Sequence, residues 1–307
     1  MHNPAAGDGS RRSGDDLVEL LRAAGHKVNY QSSKETKWKK ALKKPGDIVV
    51  VAGGDGTVGK VGRRMIGSPT PIAILPLGTA NNIARTLGVA GKPLRDLVHS
   101  WKDARCVNCD AGIAKGPWGT QNFIEGFGAG LFAETMVRLE TSNVIELVGG
   151  DDPPTVLRTV LKILRTQLQK HTGRPMKIRL DGKKMSGDYL MLEVQNIRYI
   201  GPNLELHPEA DINDGFLDVV MVGAKERNKL KPYLMKTKPK RDSLTVRRAR
   251  HVQIECECPS VHIDDQHWPD KKKSEATESI SVDIKVHPGA LVFLAPQEAK
   301  RAARRRT

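Results

Sequence analysis

Residues 48–57 (IVVVAGGDGT) constrain the fold more than any other stretch, because a short apolar run empties directly into three glycines within four positions. A run of that length and composition reads as a buried strand. Glycines without a Cβ let bare backbone approach an anion, and their N–H groups can point at its oxygens. Val58, Val61 and Met65 then follow at helical spacing, so the turn is expected to open a helix over 57–66 whose N-terminal dipole also favours phosphate. Asp55 is the odd member: a carboxylate among such amides repels phosphate unless a metal ion, or water held by one, stands between them. The local reading is a nucleotide site with magnesium, and the alternative on these residues alone is a tight structural turn of an α/β domain.

A second unit of the same kind follows. Residues 71–75 (PIAIL) read as another buried strand, and Leu77-Gly78-Thr79 leads into a helix with Ile83, Ala84 and Leu87 on one face, ended by Gly88. Two such units place two helix N-termini on one edge of a parallel sheet, where ligands of open α/β sheets bind. Strands at 48–52, 71–75 and 104–110 alternate with helices at 15–24, 57–66 and 93–101, and a further strand is expected at 27–30. Beyond Asp110 the texture becomes β-rich, at 176–180, 189–195, 216–222, 245–257 and 279–286, with a hairpin turn at Asp181-Gly182. The expected organisation is an α/β nucleotide-binding domain over 1–110, an antiparallel β-sandwich over 111–297 and a basic tail over 298–307. A chain of 307 residues is long enough to split into two cores.

Asn3-Pro4-Ala5-Ala6-Gly7, Gly53-Gly54-Asp55-Gly56-Thr57 and Leu77-Gly78-Thr79-Ala80-Asn81-Asn82, in this order, resemble the diacylglycerol-kinase catalytic family. That family includes bacterial soluble lipid kinases and the sphingosine and ceramide kinases, and is more distantly related to NAD kinases. The resemblance covers nearly the whole chain. It implies a Rossmann-like, NAD-kinase-like N-terminal domain that holds ATP with Mg2+, a β-sandwich that holds a lipid, and phosphorylation of the lipid hydroxyl in the cleft between them. The family places a buried strand before its NPxxG segment, whereas only Met1 and His2 precede Asn3. Either that strand is lost or the chain is entered at a late start codon, and the late start is favoured.

Carried over residue by residue, the resemblance implies a nucleotide grip from Asn3, Gly53, Gly54, Gly56, Thr57, Gly78, Thr79 and Asn82, to which Ser32 or Ser33 adds a hydroxyl. Asp55 and Asp110 are the metal-network acids, with Asn82 where relatives carry an acid. Asp211, Asp214 and Phe216 resemble the family's structural magnesium segment; an Asx-type turn before the strand at 216–222 is the alternative. Asp264-Asp265-Gln266 stands where the family has Asp-Gly-Glu. Gln266 cannot accept a proton near neutral pH, so Asp264, Asp265 or a water must serve as base, or catalysis is lost. Gly59-Lys60 replaces the family's Asn-Glu, and Lys60 is read as a contact to a nucleotide phosphate. Cys106, Cys109, Cys256 and Cys258 offer a zinc set, with reduced thiols the favoured reading.

Charge gives the second strong signal. Lys and Arg number 50 against 35 Asp and Glu, a net charge of +15, and seven of the basic residues crowd between Lys236 and Arg250. An anionic membrane surface suits such clusters, at ~1 kcal/mol per basic residue near the surface. Nucleic acid ranks well below it, since no nucleic-acid motif is present. A solvated basic face is the plain alternative. Residues 155–170 form a basic amphipathic helix, fit either to lie in a bilayer interface or to pack on its own domain. No run approaches a membrane span and no secretory signal is visible, so the expected location is cytoplasmic, peripheral at the inner membrane, with a homodimer among the candidate assemblies. Other readings stay open: a kinase of NAD or another small molecule, or a non-catalytic lipid- or nucleotide-binding homologue.

Overall fold

The computed structural model describes residues 1–6, 13–142, 152–238, 244–269 and 279–297. The chain divides into two units. Unit 1 is built from Met1–Cys109, a short segment ending at Pro153 and the segment returning from Gly289, and unit 2 from the rest of the chain between Asp110 and Pro288.

In unit 1 the two apolar runs pair as parallel strands β1 (Val49–Gly53) and β2 (Ile72–Pro76), in register from Val49↔Ile72 to Gly53↔Pro76. Both are buried almost throughout, as parallel strands covered on both faces must be. Helix α1 (Gly14–Ala23) is started by a capping box: the Asp16 amide donates to Ser13 Oγ at 3.1 Å and the Ser13 amide to Asp16 Oδ2 at 2.9 Å. It buries Leu17 and Leu21. The short α2 (Trp38–Ala41) buries Trp38. Helix α3 (Asp55–Met65) begins two residues earlier than its apolar spacing suggested and buries Val58, Val61 and Met65. Two short helices, α4 (Asn82–Thr86) and α5 (Leu94–Ser100), complete the layer.

The expected strand at 27–30 does not form. Its residues are exposed or half-buried and make no ladder. The partner on this side of the sheet is the start of the chain, which meets other residues: His2 forms parallel bridges to Ala52 and to Ser32. Its amide donates to the Gln31 carbonyl at 2.9 Å and its carbonyl accepts from the Ser33 amide at 2.7 Å. Residues 1–3 thus lie as a strand between β1 and the 31–33 segment.

Unit 2 is antiparallel. Strand β3 (Arg105–Gly116), whose first half lies in unit 1, pairs with β4 (Gly119–Phe123); β5 (Gly126–Gly130) pairs with β8 (Gly187–Gln195). Strand β6 (Arg174–Leu180) turns through Asp181 and Gly182, with φ of 47° and 85°, into β7 (Lys183–Lys184), the left-handed pair that a two-residue hairpin needs. A small ribbon joins β9 (Tyr199–Ile200) to β10 (Leu204–Glu205). Strand β11 (Leu217–Gly223) runs between β8 and β12 (Thr245–Ala249). The predicted 245–257 strand breaks at Arg250, after which β13 (His251–Cys256) pairs with β6 and with the first half of β16 (Ile280–Ala295). Strands β14 (Val261–Ile263) and β15 (Gln266–Trp268) close a tight hairpin.

The side chains of β11 alternate between two cores. Val219 and Met221 join Phe127, Val194, Ile178 and Ile254 inside the sandwich. Val220 and Val222 face the other way, onto α6 (Leu131–Thr141), α7 (Pro153–Lys170) and α8 (Arg227–Leu234). Leu161, Leu164 and Leu168 of α7 are spent in that second core, so the apolar face of the basic helix packs on its own domain. From Gly289 onward β16 supplies unit 1, where Phe293 pairs in parallel with Ile72. A division made in sequence order cannot show this return.

Candidate nucleotide and acceptor sites

The two glycine loops of unit 1 touch backbone to backbone. A Cβ on Gly78 would stand 2.3 Å from Gly54 Cα, and one on Gly54 would stand 2.8 Å from Gly78 Cα. No side chain fits there. The Leu77 amide donates to the Gly53 carbonyl at 3.0 Å, and Asp55 Oδ1 accepts from the Ile83 amide at 3.0 Å. Asp55 therefore ties the start of α3 to the start of α4. Glycine at 53, 54 and 78 is demanded first by this packing: a Cβ at Gly53 would also collide with Thr57 at 2.7 Å.

Asn81 holds the second loop in shape. At φ 54° it occupies the left-handed region that asparagine tolerates. Its Oδ1 accepts from the Gly78 amide at 3.0 Å and its Nδ2 donates to the Gly78 carbonyl at 2.6 Å. The sequence signal for this role is an asparagine three residues after a glycine, a spacing at which its amide can close a local ring.

Other grip residues lie on the same unit. The Asn3 amide donates to Ala52 at 2.9 Å, at the end of β1, and its Oδ1 accepts from Ala5 at 3.2 Å. Ser32 and Ser33 are buried beside His2, with Ser32 Oγ accepting from the Lys34 amide at 3.2 Å. Thr57 and Asn82 are buried, while Gly78 and Thr79 are half-buried. Gly54, as N-cap of the eleven-residue α3, brings no side chain to satisfy the helix's first amides. That leaves this terminus suited to an anion, and the residues present fit a nucleotide phosphate group.

Lys60 is engaged elsewhere than its sequence reading placed it. Its ammonium donates to the Ser33 carbonyl at 2.8 Å and lies 4.6 Å from the Trp38 ring centre. The cation fastens the 32–38 segment onto α3 through a hydrogen bond and a cation–π contact.

The acids of unit 2 form a connected backbone-and-carboxylate network. Asp110 is buried; its Oδ2 accepts from the Gly215 amide at 2.7 Å and its own amide donates to the Ile212 carbonyl at 2.7 Å. Asn196 Nδ2 donates to the carbonyls of Asp110, at 2.7 Å, and Ile124, at 3.2 Å. The Asp264 carboxylate in turn accepts from the amides of Ile124, Glu125 and Gly126 at 3.0, 2.8 and 3.3 Å. Asp264 also sits at φ 52°, at the head of the β14–β15 turn. Three amides stabilise its charged form, which suits a fastening acid better than a proton acceptor. Asp265, next to it, is exposed. Gln266 is exposed and its Oε1 accepts from Gln121 Nε2 at 3.0 Å.

Beneath this turn lies a pair that sequence reading missed. Glu193 and His262 are buried, with His262 Nε2 2.9 Å from Glu193 Oε2 and Nδ1 3.2 Å from the Asp264 carbonyl. A carbonyl only accepts, so Nδ1 carries a proton and a further proton is shared between Nε2 and Glu193. Burial pushes the Glu193 carboxyl up, against the pull of His262; burial lowers His262, but the charge and hydrogen bonds of Glu193 and Asp264 together outweigh it and leave His262 raised. His267, next to Gln266 in the chain, bonds through Nε2 to Glu140 and through Nδ1 to the Pro269 carbonyl at 3.1 Å.

The Asp211–Phe216 segment does not fit the expected structural magnesium. It forms two Asx turns: the Asn213 amide donates to Asp211 Oδ1 at 3.1 Å and the Phe216 amide to Asp214 Oδ1 at 3.0 Å. Asp214 Oδ2 is taken by the Arg248 guanidinium at 2.5 Å. Both oxygens of Asp214, the carboxylate that the resemblance assigns to the ion, are engaged by donors, and Arg248 brings a positive charge to the same oxygen that the ion would use. The four cysteines are free thiols, and no cluster of three or more metal-ligating side chains occurs among the described residues.

Two family models match the chain. Residues 1–112 match the diacylglycerol kinase catalytic domain, and residues 153–295 the YegS C-terminal NAD kinase beta sandwich-like domain. The chain is 25% identical, over 97% of its length and 94% of the other protein, to a diacylglycerol kinase of Mycobacterium tuberculosis. It is 30% identical, over 65% of its length and 66% of the other, to a protein of Cronobacter sakazakii named "Probable lipid kinase YegS-like". The crystal structure of a diacylglycerol kinase from Bacillus anthracis matches with a TM-score of 0.70 at 22% identity, covering 97% of this chain and 96% of that one, and shows the shared fold. The matched domains and the named relatives together mark a two-domain kinase. The chain belongs to the diacylglycerol-kinase catalytic family, a family of lipid kinases.

Proposed function

We propose that this kinase transfers the γ-phosphoryl group of ATP to the hydroxyl of a diacylglycerol-like lipid, with Mg2+ as the metal. The observation that carries this reading is the backbone contact of Gly54 with Gly78, locked by the Asp55–Ile83 bond, which makes one rigid phosphate-facing surface from two loops. Phosphoryl transfer asks for positioning and charge neutralisation more than for covalent chemistry, and such a surface supplies the first. Bound magnesium would neutralise charge on the phosphate oxygens. Asp55 is the acid of unit 1 that would hold it, directly or through water, and Asn82 adds an uncharged amide. Asp110, the other acid that the resemblance assigns to a metal network, is buried in unit 2, where its Oδ2 accepts from the Gly215 amide.

The acceptor proton has one exposed carboxylate in the β14–β15 turn, Asp265, since Asp264 is committed to three amides and Gln266 carries no acid. We therefore assign the base to Asp265 and the fixing of the turn to Asp264. The enzyme works peripherally, drawn to anionic lipid by the basic residues Arg158, Lys162, Lys229 and Lys231 on α7 and α8 and by clusters at Lys240-Arg241 and 300–306, the latter two outside the described residues. Among the described residues no helix is long and apolar enough to cross a membrane.

Labelled ATP offered with diacylglycerol, phosphatidylglycerol, a sphingoid base and NAD tests the reading. Label in a lipid is expected. Label on NAD alone would sink the lipid assignment, and tight ATP binding with no transfer to any acceptor would mark a binding protein.

A further inference from the structure

The Asp211–Phe216 turn carries a cation of its own. Arg248 stands on β12 directly across the ladder from Asp218. Asp218 is engaged by His207, Nδ1 to Oδ2 at 3.2 Å, and the Arg248 guanidinium reaches past it to Asp214 Oδ2 at 2.5 Å. The same guanidinium lies 4.4 Å from the centre of the Phe216 ring, and that of Arg250 lies 4.5 Å from it. Phe216 is thus held at its amide by Asp214 and at its ring by two guanidinium groups. On the inner side Gly215, at φ 74°, donates to Asp110, so whatever fixes the turn also fixes that buried acid.

We propose that Arg248 serves in place of a divalent cation at this turn, and that unit 2 of this protein holds Asp110 in position without metal. A planar guanidinium offers charge and directed donors to the carboxylate at once, and its face stacks on an aromatic ring, which a hydrated magnesium ion does not do. A divalent ion drawn to Asp214 would meet a like charge already on the same oxygen. The inference concerns the fold of unit 2 and stands whether or not the acceptor is a lipid.

Mn2+ counted by electron paramagnetic resonance, on full-length protein without nucleotide, tests it. The Asp55→Asn background removes the metal acid of unit 1 from the count. This protein is expected to bind no Mn2+ at the turn and to melt at the same temperature in EDTA and in millimolar Mn2+. Adding Arg248→Gln should lower the melting temperature in EDTA by roughly 2–4 °C and create one Mn2+ site, lost again with Asp214→Asn. Arg248→Lys keeps a charge and should bind no Mn2+; it remains a test if the glutamine variant does not fold. A Mn2+ ion bound by the Arg248-containing protein and released by Asp214→Asn would overturn the proposal. So would the absence of any new site in Arg248→Gln, or one in Arg248→Lys.

Discussion

Asp264→Ala is the perturbation with the largest effect that the geometry allows to be worked out. The change removes the acceptor of three backbone amides, two at 2.8 and 3.0 Å and one at 3.3 Å, on a side chain only 7% exposed. A bond to a charged acceptor contributes about 1.5–3 kcal/mol, and the losses overlap because the three amides share one carboxylate. Alanine at φ 52° adds about 1 kcal/mol of strain that aspartate relieves locally. The expected cost is ~5 kcal/mol, or roughly 10–20 °C in the melting temperature of a unit this size. Asp264→Asn keeps one acceptor oxygen and should cost about 2 kcal/mol. Differential scanning calorimetry of the full chain reads both, with ATP affinity as the control, since neither glycine loop involves Asp264. An alanine variant melting within about 2 °C of the parent would refute the fastening role and return Asp264 to the list of candidate bases.

Gly78→Ala should abolish ATP binding, because its Cβ would fall 2.3 Å from a backbone atom that cannot swing away; calorimetric titration would show it, and a near-parental affinity would mean the loops are not held as described. Gln266→Glu adds a carboxylate beside Asp265 and should raise the transfer rate several-fold; no change would leave the base with Asp265. Glu134 provides a pH test. Burial raises its carboxyl, but hydrogen bonds and charge from His171 and Arg174 outweigh that and hold it down to about 2. A depressed folded-state pKa stabilises above the unfolded value, near 4.5, and the gain disappears as pH falls toward 2. The stability gap between the parent and Glu134→Gln should therefore be of order 2 kcal/mol at pH 6 and close progressively below pH ~4.5.

Elements whose signals are local were legible in the sequence. The runs at 48–52 and 71–75, the apolar spacing of α3 and α7, and the Asp181-Gly182 turn each carry their own pattern, and each forms at or within about two residues of its expected place. Elements that depend on a distant partner were not. Residues 27–30 alternate like a strand, yet the chain start pairs with 31–33 instead. The strand expected at 279–286 does not end there: Gly289, at φ 59°, lies within β16, which continues into the other unit.

The site divides the same way. Glycine loops announce themselves by composition. The Asp55–Ile83 and Asp264–Ile124 bonds span 28 and 140 positions, and no sequence pattern marks them. Arg248 was hidden inside a run of positive charge that read as a face for membrane or solvent. Its register opposite Asp218, and the occupation of Asp218 by His207, direct it to Asp214.

Single-turnover transfer from γ-labelled ATP to diacylglycerol in anionic vesicles, run in parallel on the parent and Asp55→Asn, tests the central claim most directly. Asparagine keeps the Oδ1 that accepts from Ile83, so the loops should stay in place while the metal-holding charge is lost. The account predicts labelled lipid from the parent, and from the variant ATP binding with transfer reduced by at least about a thousandfold, the scale of losing an electrostatic group essential to phosphoryl transfer. Equal transfer by both proteins, or none to lipid by the parent, would contradict it.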